Sequence, residues 1–186
     1  ITVCFNSVAT IEDTIKSILM QNCKDIEYIV IDGGSTDGTL EILKKYKKQT
    51  AQCVSEPDEG IYDAMNKGIK VATGDFIIFL NANDRFYNEC VIENVVKVLS
   101  ENPQAKFLFG DADYISADRK NSKIKTFDII KTDFSLVFNN ICHQSIFYHR
   151  SLFEQVGEYS NKYKIYADWD FNTKCLVKNR IPAIYL

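Results

Sequence analysis

Ile31-Asp32-Gly33-Gly34-Ser35-Thr36-Asp37-Gly38-Thr39 is the stretch that decides the fold. It closes a run rich in β-branched residues, Glu27–Ile31, and opens a segment with helical spacing, Thr39–Lys48, in which Leu40, Leu43 and Tyr46 mark the faces. A strand that ends in acids and glycines and feeds directly into a helix is the unit of an α/β sheet. One such turn alone is equally compatible with a tight turn that merely caps the next helix.

The same unit recurs on both sides. Ile1–Phe5 is a short apolar strand, followed by Thr10 as N-cap and by Ile11, Ile15, Ile18 and Leu19 at helical spacing. Gln52–Ser55 precedes an amphipathic helix through Ile61, Ala64, Met65, Gly68, Ile69 and Ala72. Phe76–Leu80, continuously apolar, reads as a central parallel strand, and Asn88 caps a helix that runs to about Ser100. Four strand-helix units in the first hundred residues predict a mostly parallel sheet covered on both faces by right-handed crossovers, a three-layer α/β/α sandwich.

Residues 101–186 are less regular. Lys106–Phe109, Asp113–Ser116, Lys123–Phe127 and Gln144–Tyr148 read as strands, Ser151–Val156 as a short helix ending at Gly157, and Ala167–Lys178 as a final helix. This half is read as the acceptor-facing part of one domain whose residues 1–100 bind nucleotide. Ile1 already lies in a strand and Ala183–Leu186 reads as another, so the sequence is expected to be a piece of a longer chain, truncated at its C-terminus.

The 186 residues carry a net charge of −3, which disfavours a nucleic-acid surface built on a basic patch. The longest apolar run, Phe76–Leu80, is far short of a membrane span. The six cysteines contain no C-x-x-C pair, so reduced core thiols are expected rather than a zinc site.

Ligands of an open α/β sheet bind beyond the carboxyl ends of the strands. Here those ends lead to Asp32, to Glu56 and Asp58, and to Asn81-Ala82-Asn83-Asp84. Carboxylates gathered on one rim need a cation or a hydroxyl-rich ligand to satisfy them. The Gly33–Thr39 turn has no lysine and so is no P-loop, and Asn6–Thr10 has no glycine and so is no dinucleotide fingerprint. A turn with Asp32 and Asp37 suits a base edge or ribose hydroxyls and repels a bare diphosphate. A diphosphate then needs a metal, and Asp84 is the obvious ligand for Mg²⁺ or Mn²⁺.

At these residues the sequence resembles the family-2 glycosyltransferases of the GT-A fold, particularly bacterial polysaccharide-assembly enzymes. The matching segments are Thr2–Ser7, Ile29–Thr39, Ser55–Gly68, Gly74-Asp75, Leu80–Asp84, His143-Gln144 and Ala167–Phe171, in order along nearly the whole chain. The resemblance implies that Phe5 and Asn6 border the nucleotide and that Asp32 accepts from the base, usually uracil. It implies that Ser35 and Asp37 shape that pocket, and that Asp58, Glu59 and Gly60 lie at the base or ribose. Asp84 matches the metal-binding acid of the D-x-D motif, with Asn83 beside it, and Asp168 matches the catalytic base. His143 and Gln144 are implied as acceptor or diphosphate contacts, with Trp169 and Asp170 as further candidates near the acceptor. A structural histidine and rim packing are the alternatives for His143 and Trp169.

Two departures stand out. The D-x-D position reads Ala82-Asn83-Asp84, with Asn in place of the first acid; its carbonyl can bind ribose or metal, but with one charge fewer. Ala167 stands where many relatives carry Glu. On a helix Asp168 and Asp170 lie about 200° apart, so only one faces the pocket, and Asp168 is favoured. The expected enzyme takes a nucleotide-sugar donor, UDP-linked, and a saccharide or lipid-linked acceptor, in the cytoplasm or at the inner face of the membrane, as in cell-surface polysaccharide synthesis. A catalytically decayed nucleotide-sugar-binding module and a nucleotidyltransferase are the rivals. The sugar, acceptor and linkage are expected to depend on residues 111–140 and on whatever follows Leu186.

Overall fold

The computed structural model describes residues 1–116, 120–127 and 139–186; part of the segment expected to set acceptor choice, 117–119 and 128–138, therefore lies outside the described residues. Three parallel strands, β1 (Thr2–Cys4), β2 (Ile29–Asp32) and β3 (Gln52–Ser55), form one ladder with β2 in the middle. Val3 is in register with Ile31, and Ile31 with Val54. The connecting helices are α1 (Ile11–Leu19) and α2 (Thr39–Lys45); α3 (Ile61–Val71) follows β3.

The fourth strand differs from expectation. Its regular part, β4, is only Phe76–Ile77, and it pairs antiparallel with β8 (Ile146–His149). Beyond it the chain still runs alongside β1. Ile1 N donates to Ile78 O (2.8 Å), Leu80 N to Ile1 O (2.9 Å) and Ala82 N to Val3 O (3.1 Å). That alternation is a parallel pairing, so the apolar run Phe76–Leu80 bridges the parallel ladder to a second one in the order β4-β8-β5-β9. There β5 (Phe107–Phe109) lies antiparallel to β8 and parallel to β9 (Ala183–Tyr185). A separate antiparallel hairpin joins β6 (Ala112–Ile115) to β7 (Ser122–Lys125).

Other boundaries shift for local reasons. The helix α4 spans Val91–Glu101, two residues later than expected, because Asn88 Oδ1 accepts from Cys90 N (2.9 Å) and closes a turn ahead of the helix. His143–Ser145 is a 3₁₀ turn, so β8 starts at Ile146. After α5 (Ser151–Val156), Gly157 at φ 98° ends the helix as read. The last helix, α6 (Ala167–Thr173), passes into a π-helical turn over Lys174–Lys178.

Two packing features position the rim. Helix α3 lies close against the sheet at Gly68, where a Cβ would come within 2.6 Å of the Ile1 side chain. Helix α6 is seated on an aromatic core: Phe171 stacks on Phe153 at 4.7 Å and meets Tyr148 edge-on at 5.5 Å, all three buried. Both helices present their first turns to the same rim.

Candidate functional site

The acidic turn after β2 is chiefly a lacing device. Asp32 is 0% exposed. Its carboxylate accepts from the Ser35 hydroxyl, from Ser55 Oγ (2.7 Å), from Gly34 N (3.1 Å) and from Ser35 N (3.0 Å). Burial alone raises its proton affinity, but these donors outweigh burial and hold it below the usual carboxylate range. In this structure the Asp32 carboxylate is turned wholly to these protein donors, not to the surface where a base was expected. Ser35 is likewise buried, and its hydroxyl also accepts from Asn6 N (2.8 Å). Asn6 Oδ1 accepts from Thr36 N (2.9 Å). Asp37 accepts from Thr39 Oγ1 (2.6 Å) and N (3.0 Å) and from Val8 N (3.0 Å), bonds that lower its pKa. The three side chains Asn6, Ser35 and Asp37 thus tie the β1–α1 loop to the β2–α2 turn.

That lacing fixes the pair of loops that carries Phe5 and Gly33. Phe5 is 61% exposed. The Asp58 carboxylate lies against the bare Cα of Gly33, where a Cβ would collide with Asp58 Oδ2 and stand 3.3 Å from the Phe5 ring. Asp58 Oδ1 accepts from Gly60 N (2.9 Å), which sits at φ 123° in a turn leading into α3. The turn is braced from the helix: Glu59 N donates to Asp63 Oδ2 (3.1 Å), and Lys67 Nζ donates to Pro57 O (2.8 Å) and pairs with Glu56 (3.0 Å).

Two further acids lie on either side of one short turn. Gln144 Nε2 donates to Asp84 Oδ2 (2.9 Å), and the adjacent His143 places Nδ1 3.4 Å from Asp168 Oδ2. Burial pushes the Asp84 carboxyl above its ordinary value, against the opposing effects of Gln144 and His143. Asp168 is 6% exposed. It accepts from Tyr62 OH (2.6 Å) on Oδ1 and from Asn140 Nδ2 (2.6 Å) on Oδ2. Burial raises its proton affinity, but His143, Tyr62 and Asn140 together bring it below the usual carboxylate range. The opposite ring nitrogen of His143 lies 3.0 Å from Asn81 Nδ2. Asn140 Oδ1 accepts from Asn172 Nδ2 (3.0 Å), whose Oδ1 accepts from Tyr148 OH (2.8 Å).

The remaining candidates are more peripheral. Asn83 is exposed at φ 89°, its N donating to Thr14 Oγ1 (3.1 Å). Asp170 turns away from Asp168 and pairs with Lys174 (2.6 Å). Trp169 packs edge-on against Tyr166 at 5.7 Å. A cleft of about 840 Å³ runs from Asp84 and Gln144 to Met20, Tyr87 and Tyr114.

The family model described as glycosyl transferase family 2 matches residues 1–157. The chain belongs to glycosyl transferase family 2. A PGL/p-HBAD biosynthesis glycosyltransferase of Mycobacterium bovis is 35% identical over 184 residues, which is 97% of this chain and 70% of that protein. An uncharacterized glycosyltransferase of Mycobacterium tuberculosis is 37% identical over 174 residues, 92% of this chain and 65% of that protein. Among solved structures, S. aureus TarS in complex with UDP superposes with a TM-score of 0.78 at 21% identity, over all of this chain and 56% of that one. The mannosyltransferase PcManGT from Pyrobaculum calidifontis, in complex with GDP-Man and Mn²⁺, gives 0.73 at 21% identity, over all of this chain and 53% of that one. The GT-A-like fold is thereby shown, and this chain spans little more than half of either solved structure.

In this family-2 chain the donor set at Asp84 fits a hard cation. The carboxylate is partly buried, its side-chain partner is a neutral amide, and burial works against its charge. No three His, Cys, Asp or Glu side chains converge into a complete cage among the described residues, so the remaining ligands would be substrate oxygens and water, the usual arrangement for Mg²⁺ or Mn²⁺ on a nucleotide. Four residues to which the sequence assigned no role, Tyr62 and Asn81 inside the matched segments and Asn140 and Asn172 outside them, complete the surroundings of His143 and Asp168. Their partners lie between 28 and 106 residues away, beyond any local spacing rule.

Proposed function

We propose that this chain is the catalytic domain of an inverting glycosyltransferase. It transfers a sugar from a nucleotide-diphosphate donor, a UDP-sugar, to a hydroxyl of a saccharide or lipid-linked acceptor. Residues 1–100 carry the nucleotide and residues 101–186 the acceptor. The observation that carries the reading is the pair of acids flanking one turn: Gln144 holds Asp84 and His143 faces Asp168. Neighbouring residues thus hold a cation-type acid and an ionised acid on the two sides of one turn.

The nucleoside rests against Phe5, Gly33 and Asp58, with Asp58 as the acceptor for the base or ribose in place of Asp32. A Mg²⁺ or Mn²⁺ held at Asp84 would supply Lewis-acid stabilisation of the diphosphate leaving group. Asp168, kept ionised by its donors, takes the proton from the acceptor hydroxyl as that oxygen bonds to the anomeric carbon and the carbon–diphosphate bond breaks. A single displacement inverts the anomeric configuration, whereas retention would require an enzymic nucleophile at that carbon. No helix among the described residues is long and apolar enough to cross a membrane. The proposed location is the cytoplasm, at the inner face of the membrane when the acceptor is lipid-linked.

The test is product formation with a panel of UDP-, GDP- and TDP-sugars and added acceptors, with Mn²⁺ and with a chelator. The reading expects turnover with a UDP-sugar, loss on chelation, and a product of inverted anomeric configuration by NMR. Nucleotide binding without any turnover would instead support the decayed binding module.

A further inference from the structure

The Tyr62 hydroxyl joins two elements that the proposed reaction needs in register. It donates to Asp168 Oδ1 (2.6 Å) and accepts from Tyr166 N (3.1 Å). Tyr166 is the residue ahead of α6, held at φ 75°, a backbone conformation that a tyrosine adopts only when its surroundings impose it. Tyr62 is 8% exposed, and its ring packs against Tyr159 at 5.5 Å, so the hydroxyl has little freedom. Burial, and Asp168 beside it, hold the phenol well above its ordinary value, so it stays protonated and remains a donor. Tyr62 also stands in the first turn of α3, directly after the Asp58–Gly60 loop that Asp63 and Lys67 brace from the same helix.

The geometry points to Tyr62 as a positioning residue that sets the Asp168 carboxylate and ties its orientation to the loop on which the donor nucleoside rests. This rests on the proposed function and goes beyond it, since it makes one rigid element, residues 58–67, responsible for both donor seating and the placement of the proton acceptor. Asp168 is hydrogen-bonded by Tyr62 from α3 and Asn140 and faced by His143 from the 3₁₀ turn, and Tyr114 of β6, Cys142, Tyr148 of β8 and Tyr159 lie within its electrostatic reach, all of them unchanged in a Tyr62 variant. The only acid near it on its own helix, Asp170, is turned toward Lys174. Losing the hydroxyl leaves His143 and Asn140 in place, so a changed pH profile in a Tyr62 variant belongs to Tyr62.

The experiment compares wild type, Tyr62→Phe and Asp168→Asn in the full-length protein, with turnover followed from pH 4.5 to 8. Tyr62→Phe is expected to lower kcat about tenfold or more, within the ~10²-fold that a misplaced group can cost, while the donor KM stays within about twofold. Its activity should also fall on the acid side at a pH where the wild type is still flat, because Asp168 loses a donor to its charged form. A Tyr62→Phe protein that melts lower but keeps wild-type kcat and pH profile overturns the inference. Should Tyr62→Phe fail to fold, 3-fluorotyrosine at position 62 keeps the shape with a stronger donor: an acid limb displaced to lower pH supports the positioning role, and an unmoved one overturns it. Asp168→Asn separates the levels. If it keeps turnover, the proposed base and this inference both fall; if it is inactive and Tyr62→Phe is normal, this inference alone falls.

Discussion

The Asp58 carboxylate occupies the space into which a side chain at Gly33 would project, with the Phe5 ring beside it. Substituting Gly33→Ala therefore forces Asp58 off this position without touching the lacing of Asp32. The expected outcome is a UDP dissociation constant raised about tenfold, worth ~1.4 kcal/mol, with a melting temperature close to wild type. Asp58→Ala should weaken binding to a similar extent, and the double variant should add little, since both changes remove the same contact. Titration calorimetry with UDP reads all three; an unchanged affinity in Gly33→Ala would place the nucleoside elsewhere.

Asp32 is expected to behave in the opposite way. Its removal strands the Ser35 and Ser55 hydroxyls and two backbone N–H groups around a buried centre. Leaving buried donors without partners costs about 1–3 kcal/mol. Asp32→Ala should thus lose roughly that much stability, a drop of several degrees in Tm for a domain of this size, about 2–4 °C per kcal/mol. The pH dependence has a definite sign. The folded value of Asp32 is depressed, so its contribution is fully present above the ordinary carboxylate value of about 3.9 and is lost as pH falls through the folded value. Asp32→Asn should lack that part of the acid unfolding seen in the wild type, as followed by circular dichroism from pH 7 to 2.

The two aspartates explain what the sequence could and could not convey. Strand, turn and helix around Asp32 were legible because β-branched runs, glycines and helical spacing are local signals, and β1, β2, β3 and the first three helices start within two residues of where they were read, although α2 ends at Lys45 rather than Lys48. The job of the acid was not legible. Whether Asp32 faces a ligand or Ser55 depends on β3 lying next to β2, a long-range pairing. The switch of Phe76–Leu80 from a plain parallel strand to a bridge between two ladders has the same origin, since apolar continuity marks burial on both faces but not the direction of the neighbour. That only one of Asp168 and Asp170 faces inward followed from helical angle, and α6 turns Asp168 toward Tyr62 and Asp170 toward Lys174. Tyr62, Asn140 and Asn172 were silent because each acts only through partners brought in by the fold.

Asp84 carries a prediction about cations. Its folded pKa is raised, so the ionised side chain is disfavoured in the fold, and that penalty grows as pH rises through the ordinary carboxylate value toward the folded one. Asp84→Asn should leave the metal-free protein as stable as the wild type or slightly more so at pH 7. A cation that binds only the folded, ionised form stabilises by mass action. Thermal shift of the wild type with UDP should therefore increase on adding Mn²⁺, and increase more at pH 7 than at pH 5. In Asp84→Asn the Mn²⁺ increment should vanish, along with transfer activity. An equal Mn²⁺ increment in both proteins would move the metal site away from Asp84.

Asp168 and Asp170 offer the sharpest separation of roles, because two chemically identical side chains two residues apart have opposite surroundings. Asp170 pairs with Lys174 one helical turn on, both partly exposed, an interaction worth ~0.5 kcal/mol or less. Asp170→Asn should leave transfer within about twofold of wild type. Asp168→Asn keeps the shape and one of the two bonds accepted from Tyr62 and Asn140, since an amide has a single oxygen, but it cannot take a proton. Transfer should fall by about 10²–10⁴, the usual contribution of a positioned base, with the UDP dissociation constant within about twofold. The wild-type rate should stay level from pH 7 down to about 5, since Asp168 is held below the usual carboxylate range by His143, Tyr62 and Asn140 against its burial. Steady-state rates for the two variants over that range decide the matter: equal losses in both would mean that neither acid acts on the acceptor, and a loss confined to Asp170→Asn would reverse the assignment.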